Sequence, residues 1–255
     1  MKKINKTILF LTLTLGLSYL IAGLFYLFIG EYKGISGIIL ATCYMLIPAF
    51  SAVIVEKIIH KQELKNSLFI SFKLNKWFLL AWLIPPFLSF GTFGISLFFP
   101  QVSFSPDMAG MFDRYADLLT PEQMNEMKNS LETIPMHPVL LTLFQGLMAG
   151  ITINAVLGLG EELGWRGFLV RQFVNMHFLK AALIIGFVWG IWHAPLILMG
   201  HNYPHFPVAG VFMMTVWCIL LSPLFLYVTI KAKSVIAAAI LHGTLNGTVG
   251  LSILL

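Results

Sequence analysis

The fifty residues from Ala181 to Ile230 read AALIIGFVWGIWHAPLILMGHNYPHFPVAGVFMMTVWCILLSPLFLYVTI and contain no Lys, Arg, Asp or Glu. About 20 apolar residues in helical form cross a hydrocarbon core of roughly 30 Å. The run is therefore too long for one crossing. Its middle, His201-Asn202-Tyr203-Pro204-His205-Phe206-Pro207, is polar and holds two prolines, which marks a turn. Two spans result, at 181–199 and 208–230.

The same reading extends outward. Charge-free runs at 7–30, 34–55, 77–106, 133–160 and 234–255 supply spans at 7–30, 34–55, 77–99, 138–160 and 234–254. The expectation is an all-α polytopic transmembrane helical bundle of seven spans, or eight if a short re-entrant piece is added. It forms one membrane domain over 1–255: three spans within 1–100, a loop at 101–137 and four spans within 138–255. Composition agrees. Of 255 residues 58% are hydrophobic and 11% charged, against about 25% charged in soluble domains. A soluble enzyme, a disordered chain and a DNA-binding domain are excluded, despite the net charge of +5. Lys2, Lys3 and Lys6 precede the first run as they would a signal peptide, but the run is too long for an h-region and reads as a retained helix. Cys43 and Cys218 lie in separate apolar runs and suggest neither a disulfide framework nor a zinc cluster.

Lys and Arg bias sets orientation. With the N-terminus cytoplasmic, 13 of the 16 basic residues fall inside and only Lys33, Arg114 and Lys128 outside. These charges set topology and meet anionic headgroups, so no nucleic-acid partner is needed. The acidic loop 101–137 falls outside; within it Thr120-Pro121-Glu122-Gln123 has capping-box spacing and predicts a short helix over 121–131.

Against this background Gly160-Glu161-Glu162-Leu163-Gly164-Trp165-Arg166-Gly167 stands out. Ionisable groups at membrane depth are costly and usually functional. Glu162 and Arg166 are four apart and can pair on a helix. Glu161 is rotated by about 100° and faces elsewhere. Alternatively, both acids simply pair with basic neighbours at the membrane edge. His193 lies in a span, with Trp189 one turn before it. His242 and Asn246 share a face of the last span. Each of these also fits hydrogen bonding between helices, as does Asn154. At 1.5 Å per residue His193 lies about 18 Å and His242 about 12 Å from the cytoplasmic ends of their spans. Glu161 would sit at the edge of a span ending at 160. Either that helix runs on past 160, or the site is a cavity open to the cytoplasm. His201 and His205 read as interfacial loop residues on the opposite side.

Glu161-Glu162-x-x-Trp165-Arg166, then Trp189-x-x-x-His193, then His242-x-x-x-Asn246, in this order on successive spans, resemble the CPBP family of intramembrane proteases. This family, also called Abi, takes in CAAX proteases and bacteriocin-processing enzymes, among them the type II CAAX prenyl endopeptidases. The resemblance covers about 140–250. The family's second motif usually has Phe where Trp189 stands, which bears on substrate fit more than on chemistry. The resemblance implies peptide-bond hydrolysis, with Glu161 and His193 activating water and His242 and Asn246 stabilising the oxyanion. Glu162 and Arg166 would orient the site, and Trp165 and Trp189 line it. It implies an integral protein of a bacterial cell membrane, acting on a membrane-associated peptide or protein from the cytoplasmic side. A prenylated CAAX-type tail, a bacteriocin leader and a membrane-anchored regulator all fit as substrate. No metal is expected. If zinc were used, Glu161, His193 and His242 would hold it. Two other classes use the same residues: a small transporter or channel relaying ions or protons, and a non-catalytic scaffold or immunity protein.

Overall fold

A computed structural model describes residues 5–30, 32–102, 104–105, 112, 120–133 and 135–253. Lys2, Lys3, Asp107, Asp113, Arg114 and Asp117 lie outside them, as does the side chain of Glu132. The described residues are helical, with no strand among them. The charge-free runs are mainly helical where described, 133–160 and 181–230 as two helices each, and one more helix lies in the charged loop before 133. We number these α1 (Lys6–Phe28), α2 (Gly34–Val53), α3 (Lys76–Ser96), α4 (Pro121–Thr133), α5 (Pro138–Ile151), α6 (Ile153–Glu162), α7 (Phe178–Trp192), α8 (Pro207–Ala232) and α9 (Val235–Thr248).

Five helices are long and apolar enough to cross a membrane: Lys6–Phe28, Gly34–Ile59, Lys76–Ser96, Phe178–Leu198 and Pro207–Ala232. A sixth is counted if α5 and α6 with its continuation, broken at Thr152, form one span. Seven were expected. The difference lies in the last run, which forms a shorter apolar helix, Val235–Leu251. The chain divides into two compact units: Met1–Phe78 with Val156–Ala239, and Leu79–Ala155 with Ile240–Leu255.

In the first unit α1 begins at Asn5, whose side chain caps the N–H groups of Thr7 and Ile8. Gly30, after α1, and Gly34, at the start of α2, have φ of +82° and +56°, where a side chain would be strained. α2 then winds into a π-helical turn, Ile54–Ile59, which carries the buried Glu56. Lys6 Nζ meets both Glu56 oxygens at 2.9 Å, so the start of α1 lies beside the end of α2.

The linker after α2 is tied to the far end of α8. Asn75 donates to the Ala232 carbonyl at 2.9 Å, and the Val235 N–H to that of Phe69 at 2.9 Å. Arg171 bonds the Asn66 carbonyl at 2.8 Å. At the opposite ends of these helices Tyr32 and His201 share a hydrogen bond of 2.9 Å. Basic residues thus gather at one end of this unit, and the loop His201 belongs to lies at the other. α7 and α8 pack backbone to backbone, since a Cβ on Gly186 would come 2.7 Å from Ile219 Cα. Outward faces are apolar, as at Phe28, Ile35 and Leu220, all exposed, which suits contact with lipid.

In the second unit Trp82 on α3 donates to the Leu147 carbonyl of α5 at 2.8 Å. α5 and α9 touch through glycine, a Cβ on Gly247 falling 2.7 Å from the Gly146 carbonyl oxygen. After the break at Thr152, Asn154 donates to the Gly243 carbonyl at 3.2 Å, the interhelical bond anticipated for it. The capping box forms as predicted: the Thr120 N–H reaches Gln123 Oε1 at 2.9 Å, and the Gln123 N–H reaches Thr120 Oγ1 at 3.3 Å.

Candidate active site

α6 does not stop at 160. It carries Glu161 and Glu162 and continues through a π-helical segment, Leu163–Leu169, into Val170–Gln172. The helix thus runs on past 160, as one of the alternatives for Glu161 had it. π turns inside α-helices recur at functional sites, because the extra residue re-aims side chains. Glu161 and Glu162 are both buried, and Trp165 and Arg166 have no exposed surface.

Three glycines bring this helix against its neighbours. A Cβ on Gly160 would lie 2.6 Å from the Met45 carbonyl oxygen, on Gly164 2.6 Å from Pro48 Cβ, and on Gly167 2.7 Å from the Leu68 carbonyl oxygen. At the first point the site helix meets the backbone of α2, and at the second its Pro48 ring.

The acids then divide. Arg166 Nη1 donates to Glu162 Oε1 at 3.1 Å, the pair expected from their four-residue spacing. The guanidinium carbon lies 4.3 Å from the centre of the Trp189 ring and 4.5 Å from that of Phe225. A buried cation over aromatic faces is stabilised by their negative π density. Arg166 Nε and Nη2 have no hydrogen-bond partner among the described residues. Glu161 turns to α7, accepting from Trp189 Nε1 at 2.7 Å.

His193 follows α7 as its C-terminal cap and is half-buried. Its Nδ1 lies 2.8 Å from the Trp189 carbonyl oxygen. A carbonyl only accepts, so Nδ1 carries the proton and Nε2 is the basic nitrogen of the neutral ring. Glu161 and His193 are thereby attached to one residue, Trp189. Such an arrangement offers a carboxylate and an imidazole nitrogen for proton transfer.

Other partners come from helices in which the sequence showed no motif. Trp192 donates to Ser18 Oγ at 2.8 Å, and its carbonyl accepts from Tyr44 at 2.7 Å. Phe10 meets Trp165 edge to face. Ser18 and Tyr44 were the available signals, being polar groups within charge-free runs.

His242 and Asn246 belong to the second unit. On α9 His242 is buried and Asn246, one turn later, is exposed. Thr244 and Gly243 between them pack on α5 and the start of α6. No group of three or more His, Cys, Asp or Glu side chains that could hold a metal ion is found among the described residues.

Residues 136–248, which include every residue of the three motifs, match the family model of the Rce1-like type II CAAX prenyl endopeptidases. The segment is similar to that family. Among curated proteins, the CAAX prenyl protease 2 of Methanococcus maripaludis is 31% identical over 96 residues. The match covers 34% of this chain and 34% of that protein, so the chain spans about a third of the length of the relative it matches. The Rce1-like segment begins just before α5 and ends with α9. It supplies Glu161, Arg166, Trp189 and His193, while Phe10, Ser18 and Tyr44 lie outside it.

Proposed function

We propose that the chain is an intramembrane endopeptidase. The observation that carries this reading is the attachment of Glu161 and His193 to Trp189, at 2.7 Å and 2.8 Å, within an Rce1-like segment. The Arg166–Glu162 pair supports it: that guanidinium is engaged by Glu162, and Glu161 takes an indole N–H instead.

In this reading Glu161 takes a proton from water as the oxygen attacks the scissile carbonyl. The basic Nε2 of His193 orients that water. His242 and Asn246 donate to the oxyanion as the tetrahedral carbon forms. Collapse breaks the C–N bond, and the proton held by Glu161 passes to the departing amine. The products are a carboxylate and an amine. No step in this reading is routed through a metal.

The substrate is a peptide or protein segment held at the membrane. A prenylated CAAX-type tail is the first to test, because the relative from Methanococcus maripaludis is named a CAAX prenyl protease; bacteriocin leaders and membrane-anchored regulators come next. The site opens to the cytoplasm of a bacterial cell, an orientation supported by the basic end of the first unit.

The test compares wild type with Glu161→Gln in lipid vesicles, in chelator, with products read by mass spectrometry. Cleavage by wild type alone, with both proteins inserted and folded, is expected. Equal cleavage by the variant would remove Glu161 from the chemistry. Loss of wild-type cleavage in chelator, restored by zinc, would overturn the metal-free mechanism.

A further inference from the structure

We propose that Trp189 is a positioning residue for Glu161 and His193, and that the role requires its indole N–H as well as its ring. The proposal rests on the peptidase reading. Trp189 makes three directional contacts: Nε1 to Glu161 Oε2 at 2.7 Å, its carbonyl to His193 Nδ1 at 2.8 Å, and its ring face to the Arg166 guanidinium at 4.3 Å. Through Arg166 it is coupled to Glu162 as well.

The contacts have different chemical requirements. Any residue at 189 supplies the carbonyl. Any aromatic supplies the ring. Phe supplies no donor, whereas the Trp indole N–H reaches the Glu161 carboxylate at 2.7 Å. Holding Oε2 sets the plane of the Glu161 carboxylate, and holding Nδ1 sets the tautomer of His193. A pattern read as aromatic-x-x-x-His treats Phe and Trp as equivalent, but here they are not. With Phe at 189, the Arg166 stack and the His193 bond survive and the donor to Glu161 is lost. The ring is buried, so no bulk water stands in for it.

Two measurements test this on the whole protein in lipid vesicles or nanodiscs. The first is cleavage by Trp189→Phe. The expected result is a kcat lower by about 10- to 100-fold, the scale of one hydrogen bond to a charged group, with KM within about twofold. A kcat equal to wild type would overturn the proposal, leaving the peptidase reading intact. The second needs no activity. In protein labelled with ¹⁵N-tryptophan, the resonance absent from Trp189→Phe belongs to this indole. It should lie downfield in wild type and move upfield in Glu161→Ala. A resonance indifferent to Glu161→Ala overturns the bond on which the proposal stands. If Trp189→Phe fails to insert, the Glu161→Ala spectrum decides, the resonance then being assigned as the one from Trp189→Tyr that is missing. If no form of the protein cleaves any membrane peptide, the peptidase reading falls and the catalytic meaning of Trp189 with it, whatever the resonance does.

Discussion

The guanidinium carbon of Arg166 lies 4.3 Å from the centre of the Trp189 ring, while Arg166 Nη1 bonds Glu162. A planar cation serves both contacts at once. Lysine carries the same charge as a compact point and cannot stack.

Arg166→Met should therefore destabilise the protein by about 3–5 kcal/mol, because it removes the cation paired with a buried carboxylate. Arg166→Lys keeps the charge but loses the stack, and should cost about 1–2 kcal/mol, the scale of a desolvated cation–π contact. Unfolding in mixed micelles at increasing SDS measures both. Equal stability of Arg166→Lys and wild type would show that the stack contributes nothing.

A second prediction concerns packing. Ala at Gly164 places its Cβ against Pro48 and at Gly160 against the Met45 carbonyl. Each should cost about 1–3 kcal/mol through overpacking. Gly16 on α1 has open space around it. Gly16→Ala should be stabilising by about 0.5–1 kcal/mol, as expected where only helix propensity changes. The same SDS titration separates the two signs.

Burial lowers the pKa of His201 and raises that of Tyr32, which shares a hydrogen bond with it. The sign follows from linkage. His201 binds its proton less readily folded than unfolded, so stability rises with pH through the interval between the lowered value and the ordinary value near 6.5. Below that interval protonated imidazole favours the opened loops. Acidification from about pH 7 to pH 5 should therefore loosen the Tyr32–His201 contact, read as faster amide exchange at Tyr32 and over 199–206. His201→Gln should flatten that pH dependence.

The last prediction concerns the ion pair at the start of α1. Glu56 is 1% exposed and Lys6 contributes both of its salt-bridge contacts to it. Lys6→Met should destabilise more than the double variant Lys6→Met, Glu56→Leu, since only the single variant leaves a buried charge uncompensated. The double-mutant cycle measures the difference.

Much of the architecture was legible because bilayer length and charge exclusion are properties of runs, which a sequence displays directly. The charge-free runs are mainly helical where described, and 181–230 divided at the predicted polar turn, but the expected span 138–160 is broken at Thr152. Local chemistry was legible too, in the Thr120–Gln123 capping box and the Glu162–Arg166 pair, both within one turn. The boundary at 160 was not. A helix was expected to end at its first charge, but Arg166 and the Trp189 indole compensate the acids inside, so the helix continues. Neither partnership of Glu161 with a residue 28 positions away nor the support of Trp192 by Ser18 and Tyr44 follows from spacing, since these contacts arise only when separate helices pack. The last run forms an α-helix only to Thr248 and a 3-10 segment over Val249–Ile253, a change of winding that hydropathy does not report.

A saturation mutagenesis library selected for function would read this chain differently from a motif search. The motif search stops at Glu161, Arg166, Trp189 and His193. At Gly160, Gly164 and Gly167 every substitution adds atoms where the backbone or proline of a neighbouring segment already stands, so Ala there should be depleted about as strongly as Lys at Arg166, and larger side chains more strongly still. The genetic footprint of the site would thus extend to residues that have no side chain.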